Sequence, residues 1–255
     1  MSLFDKVKEE VGFGKEFDPV GSLIYSLKTD SELPTLVVEG PHDEAIYRWI
    51  ERCLNEDESE RLNKKINIQP VGNRDNVIEI YKRKQEFESR VPVAFMADLD
   101  MWVFDTRDSG GPNLYPDIIW TSGYSLENDL YSDGNPENNI IDAKYQKKHQ
   151  EALKEVIVEF ANTVALWRAS GKEPSGEEIE KCYNKIKKDY KLKLRGKTLF
   201  KVLDKFCSAR NHLELCKDVF DTIELDKGKP PLLSKLILNI QQKIKESKSY
   251  KRRVS

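Results

Sequence analysis

The chain has 255 residues, and its 42 Lys and Arg against 44 Asp and Glu leave a formal net charge of −2. That length can bury a sizeable core, a content of 38% hydrophobic residues excludes a disordered acidic tail, and no apolar run approaches the roughly 18 residues of a membrane span. The balance hides an asymmetry: residues 1–142 hold 15 basic and 29 acidic side chains, residues 143–255 hold 27 and 15. An acidic segment joined to a basic one points to nucleic-acid contact or to divided tasks. The start, MSLFDKVKEE, has no apolar stretch of the secretory type, and Cys53, Cys182, Cys207 and Cys216 form no C-x-x-C pair. A soluble, cytoplasmic protein with reduced thiols is expected.

In chain order, residues 1–33 read as a helical or irregular leader interrupted by Gly12, Gly14, Pro19 and Gly21. Leu36-Val37-Val38 is a buried-strand run closed by Glu39-Gly40-Pro41, and a helix follows with Ile46, Trp49, Ile50 and Cys53 at helical spacing. Ile66 to Val71 makes a second strand, residues 74–88 a helix with Val77, Ile78, Tyr81 and Gln85 facing inward. Val91 to Ala97 is apolar throughout, as a central parallel strand should be. Asp117 to Trp120 makes a fourth strand before TSGYSLENDL. Strands alternating with helices predict an α/β fold, a parallel sheet with crossover helices. From residue 143 the period is helical: 143–169, 175–190, 197–211 and 232–247. The organisation read from the sequence is therefore a leader (1–33), an α/β domain (34–142) and a basic helical domain (143–255).

Ligands of a parallel α/β sheet gather beyond the carboxyl ends of its strands. Glu39 ends the first strand, Asp98 and Asp100 end the third, and Glu127 follows the fourth. Carboxylates without His or Cys suit hard cations, magnesium or manganese. One ion would offset the mutual repulsion of the acids; two would permit in-line phosphoryl chemistry. An isolated Asp at a strand end is more often a turn residue or a helix cap. Strand-Glu-Gly followed 59 residues later by strand-Asp-x-Asp is more specific than either part.

LVVEGPHDEAIYRWI and VAFMADLDMW together resemble a TOPRIM domain, the fold of topoisomerases, bacterial primases, small ribosomal-RNA maturases and overcoming-lysogeny-defect nucleases. YSLENDL adds similarity to the standalone TOPRIM-like effectors of bacterial phage defence, such as that of the PARIS system. The match spans about residues 35–130. Those effectors often carry Asp-Arg-Asp; here the middle residue is Leu99, so a positive charge is missing beside the metal. The resemblance implies a TOPRIM-like magnesium-dependent nuclease in which Glu39, Asp98 and Asp100 are catalytic and bind one or two Mg2+ or Mn2+ ions, with Glu127 completing the set. It places Asp43, Asn128 and Asp129 behind them, with capping favoured over ligation for Asp43. It further implies a phage-triggered toxin restrained by an ABC-type ATPase partner and able to dimerise, attacking RNA, transfer RNA foremost, in preference to DNA. The alternatives are a DNA nuclease of the overcoming-lysogeny-defect type and a non-catalytic TOPRIM module that binds nucleic acid or a partner.

The basic segment supplies the expected backbone contacts. Lys181, Lys185 and Lys188 lie on one face of a helix, and Lys193, Arg195 and Lys197 follow in KLKLRGK. Gly196-Lys197-Thr198 resembles the end of a phosphate-binding loop but lacks the earlier Gly and the preceding strand, so nucleotide binding is set aside; Lys197 could still meet a phosphate as a point charge. Cys207, His212 and Cys216, spaced 5 and 4 apart, read as helix-core residues rather than a zinc site.

Overall fold

Four short apolar runs pair in parallel to build the sheet on which the rest is arranged. In the computed structural model the described residues are 18–29, 32–40, 44–56, 66–104, 111–207, 211–223 and 231–247. The strands are β1 (Thr35–Val38), β2 (Asn67–Pro70), β3 (Val93–Ala97) and β4 (Ile118–Trp120), in the order β2-β1-β3-β4. Thr35 stands opposite Asn67 on one side and Val93 on the other, and Phe95 opposite Ile118. β3 starts later than Val91, at Val93; Pro92 has no N–H for a ladder, though its carbonyl accepts from Thr35 N at 2.9 Å. The α/β class and the parallel sheet expected from the sequence are thus present.

Successive strand residues point to opposite faces, so β1, β3 and β4 each feed two cores. Val37, Phe95, Ala97 and Ile118 pack with α1 (Pro19–Thr29) and α3 (Arg74–Lys82). Leu36, Val38, Ala94, Met96 and Ile119 join a larger cluster with α2 (Glu44–Glu56) and α4 (Leu126–Gly134). After the short α5 (Pro136–Asn139), the same cluster takes in α6 (Gln146–Arg168), α7 (Gly176–Lys188), α9 (Gly196–Asp204), α10 (His212–Asp221) and α11 (Leu232–Glu246). The one-turn α8 (Tyr190–Lys193) links α7 to α9. Residues on both sides of position 142 therefore share one core.

Two helices differ from expectation. The segment 74–88 is helical only to Lys82, because Arg83 N donates to both Glu79 and Ile80 carbonyls and tightens into a 3-10 turn over Lys84–Glu86; Gln85 is exposed. The segment 197–211 is α9 alone, and α10 begins beyond it where the Asn211 side chain accepts from Glu214 N at 2.9 Å. α7 opens as expected at Ser175, with a capping box to Glu178. None of the described helices is long and apolar enough to cross a membrane.

Two carboxylates fasten the last helix, and each gives an expected result. Both oxygens of Asp133, at the end of α4, accept from the first N–H groups of α11, Leu232 and Leu233, at 2.8 Å. Pro231 offers α11 no side-chain cap, so Asp133→Ala should lower stability by about 1–2 kcal/mol, read as a shift in the urea midpoint. At the edge of β4, Asp117 accepts from Lys84 at 2.7 Å and from Lys243 of α11 at 3.0 Å. The two lysines hold its carboxyl down at about 2. Being depressed on folding, this carboxyl stabilises the fold above the ordinary carboxylate value and ceases to do so as pH falls through about 2. Its side chain is 47% exposed, so the effect is at most about 1 kcal/mol. Wild type and Asp117→Asn should differ in urea midpoint at pH 6 and converge near pH 2.

Candidate active site

All four strands end at the same edge, and the residues just past them line one cleft of about 150 Å³. β1 contributes Glu39 and Gly40, the turn after β2 contributes Gly72, and β3 contributes Asp98 and Asp100. The loop from β4 into α4 contributes Tyr124 and Ser125, the first turn of α4 Glu127, and the start of α9 Arg195 and Lys197. The sequence-derived acids Glu39, Asp98, Asp100 and Glu127 are thereby brought together, and two of the six basic residues join them.

Backbone donors order the acids. Glu39 Oε1 accepts from Asp98 N at 2.7 Å, which ties β1 to β3. Asp98 Oδ1 accepts from Leu126 N at 3.0 Å, in the first turn of α4, where N–H groups lack partners within the helix. Asp100 adopts a left-handed conformation with φ 48°. Its N–H donates to Tyr124 O at 2.7 Å, and its Oδ2 accepts from Arg74 Nη1 at 3.3 Å. Glu127 is 1% exposed, and its Oε1 has no hydrogen-bond partner.

The electrostatics follow from enclosure. Burial raises the Glu39 carboxyl to about 7, against the Asp98 N–H and Arg74, with Asp100 adding to the rise. Burial likewise raises Asp100, opposed by Arg74, Arg195 and Lys197 and assisted by Glu127. The Tyr124 phenol is raised by burial and by Asp100. Glu39 and Asp100 thus repel each other's charge in this cleft, and Arg195 and Lys197 of the basic segment oppose the rise at Asp100.

Asn128 and Asp129 do not line the cleft; they hold its walls. Asn128 Nδ2 donates to Lys191 O at 2.6 Å and Leu194 O at 2.7 Å, while its Oδ1 accepts from Ser125 N at 2.9 Å. Asp129 accepts from Ser122 N at 3.0 Å and Gly123 N at 2.9 Å, and burial raises its carboxyl to about 7. Tyr124 N also donates to Leu192 O at 2.7 Å, so the end of the loop after β4 is bound to α8. Gly196 lets α9 begin against α4: a Cβ there would lie 2.8 Å from Glu127 Cβ and 3.0 Å from Asn128 Oδ1. That close approach delivers Arg195 and Lys197 to the cleft.

Comparison with protein-family models and with curated proteins gives no match for this chain.

Asp43 lies outside the described residues. Of the other basic candidates, Lys181 pairs with Glu177 at 2.6 Å, Lys193 pairs with Asp189 at 3.1 Å, Lys185 donates to Phe104 O at 3.3 Å, and Lys188 is exposed. None of these four lines the cleft. Gly196-Lys197-Thr198 forms the first turn of α9 rather than a loop after a strand, yet Lys197 does reach the acids' cleft. Cys216 Sγ lies 3.6 Å from His212 Nε2.

The donors fit a hard cation in kind: all are oxygens, and Glu127 Oε1 is a buried acceptor with no partner. Among the described residues, no three acid, imidazole or thiol groups stand close enough together to hold a metal ion as they are.

Arg74 and Tyr124 were not found by sequence reasoning. The strand-end rule that selected Glu39 and Asp98 applies equally to β2, and Gly72-Asn73-Arg74 stands just past it. Tyr124 carries no such signal, since its place depends on the path of the loop between β4 and α4.

Proposed function

We propose that the chain is a TOPRIM-like, divalent-cation-dependent nuclease that hydrolyses phosphodiester bonds of nucleic acid, RNA in preference to DNA. The observation that carries this reading is the two-sided cleft at the carboxyl edge of a parallel sheet. Three acids from two strand ends and Glu127 from α4 line it together with Arg195 and Lys197, and a buried Glu127 oxygen lacks a partner. The Glu-Gly and Asp-x-Asp motifs after β1 and β3 support the family reading, and with it control by an ATPase partner in phage defence.

Glu39, Asp98, Asp100 and Glu127 would hold the cation, magnesium or manganese. When bound, the cation supplies Lewis-acid polarisation of phosphate and a more acidic water. The chain does the rest. Asp98 N–H fixes Glu39, and α4 fixes Asp98, so two acids face the cleft without a search through rotamers. Arg195 and Lys197 attract the phosphate backbone and offset charge on the phosphoryl oxygens. The cleft is too small for a folded polymer to enter, so a substrate presents one phosphodiester at its mouth.

A second reading uses the same cleft: Arg195 and Lys197 beside the strand ends would also serve a non-catalytic nucleic-acid-binding module. Incubating the protein with transfer RNA, plasmid and single-stranded DNA, with Mg2+ or with chelator, separates the two. Shortening of a polymer only with Mg2+ supports the nuclease; binding indifferent to Mg2+, with every polymer intact, supports the module.

A further inference from the structure

Between its two acids, the turn after β3 carries an apolar residue, Leu99, and its second acid is strained. A non-glycine residue at φ 48° costs on the order of 1 kcal/mol and persists only where neighbours enforce it. On one side Asp100 N is held by Tyr124 O at 2.7 Å. On the other stands Arg74, the first residue of α3 and 26 positions upstream. Its Nη1 donates to both Leu99 O at 3.2 Å and Asp100 Oδ2 at 3.3 Å, so one group grips the turn's backbone and its carboxylate together.

Arg74 is itself held in place. Its guanidinium carbon lies 4.1 Å from the centroid of the Trp102 ring, a cation–π shelf only two residues beyond Asp100. Asn73 caps the helix that carries it, accepting from Asn76 N at 2.9 Å. Its buried Nε has no hydrogen-bond partner, so the fork is placed by Nη1 and by stacking. Arg74 does not line the cleft, whereas Asp100 does.

We infer that Arg74 is a positioning residue: it locks the Asp98–Asp100 turn so that Asp100 presents its carboxylate to a divalent cation in the cleft. The inference rests on the cation reading above. A guanidinium on a carboxylate could instead compete with the cation, and the two roles shift affinity in opposite directions.

The test is Mn2+ titration of the full chain, followed by loss of the free-ion paramagnetic resonance signal. Wild type, Arg74→Ala, Arg74→Lys and Asp100→Asn are compared, with urea midpoints recorded alongside. Arg74→Ala should weaken Mn2+ binding by about tenfold or more, the usual effect of removing a group that orients a ligand. Arg74→Lys keeps the charge without the fork and should fall between; it carries the comparison should Arg74→Ala not fold. A purely structural role would move the urea midpoint and leave Mn2+ affinity unchanged. Unchanged or tighter binding in Arg74→Ala, with weaker binding in Asp100→Asn, overturns the positioning role and leaves the cation site standing. If Asp100→Asn binds Mn2+ as wild type does, Asp100 is no ligand and the inference alone falls; if wild type binds no Mn2+, the cation reading fails and the inference falls with it.

Discussion

Glu39→Ala or Asp98→Ala is expected to reduce Mg2+-dependent cleavage of nucleic acid at least about a hundredfold while the fold survives. Glu39 sits where three strands meet the cleft, and it accepts from Asp98 N, so its removal strips one acid and loosens a second. Asp98 in turn accepts from the first turn of α4, the helix that also carries Glu127. Either substitution therefore disturbs more than one donor. Stability should respond differently. Burial already disfavours the charged form of Glu39, so losing it relieves repulsion from Asp100 and should leave the urea midpoint near that of wild type. Cleavage rate and urea midpoint, measured on the same preparations, check both halves. Full activity in either variant would remove the acids from the chemistry.

The second large effect is expected at a residue that touches no substrate. Asn128→Ala should lower stability by about 3 kcal/mol, because it leaves the Lys191 and Leu194 carbonyls and the Ser125 N–H without their partner in a buried place. For a chain of this size that amounts to a fall in melting temperature of about 6–12 °C. The same bonds hold α8 beside the cleft and thereby fix where α9 begins. Arg195 and Lys197 should then lose their placement, and binding of RNA in the presence of chelator should weaken with a shallower dependence on salt. Thermal melting by circular dichroism and binding isotherms at several salt concentrations test the two consequences. An unchanged melting temperature would mean that this network does not secure the wall. Retained melting loss with unchanged salt dependence would mean that Arg195 and Lys197 are placed by other contacts.

The charge asymmetry takes on a structural meaning through these residues. The acidic segment supplies Glu39, Asp98, Asp100 and Glu127, and the basic segment supplies Arg195 and Lys197 to the same cleft. Most of the basic candidates do not take part: Lys181 and Lys193 are satisfied by acids on their own stretch of chain. Composition showed that positive charge was concentrated after residue 142 but not which of it would face the acids. Gly196 and Asn128 decided that, by steric clearance and by hydrogen bonding.

The sheet was legible because apolar strands bounded by Gly, Pro and acids have a local signature, and a parallel sheet has only one edge where strand-end residues collect. Glu39, Asp98 and Asp100 could be chosen on that rule alone. Tertiary structure decided what depends on contacts between distant segments: the left-handed Asp100, the Arg74 fork that reaches it from α3, and the core shared across position 142. The middle residue of the Asp-Leu-Asp turn carries no charge, and the guanidinium beside it comes from Arg74, 25 positions upstream. Local sequence sets which residues can form a strand end. Only the packing of α3, α4 and α9 against that end decides which charges surround it, because electrostatic partners are chosen by distance in space and not along the chain.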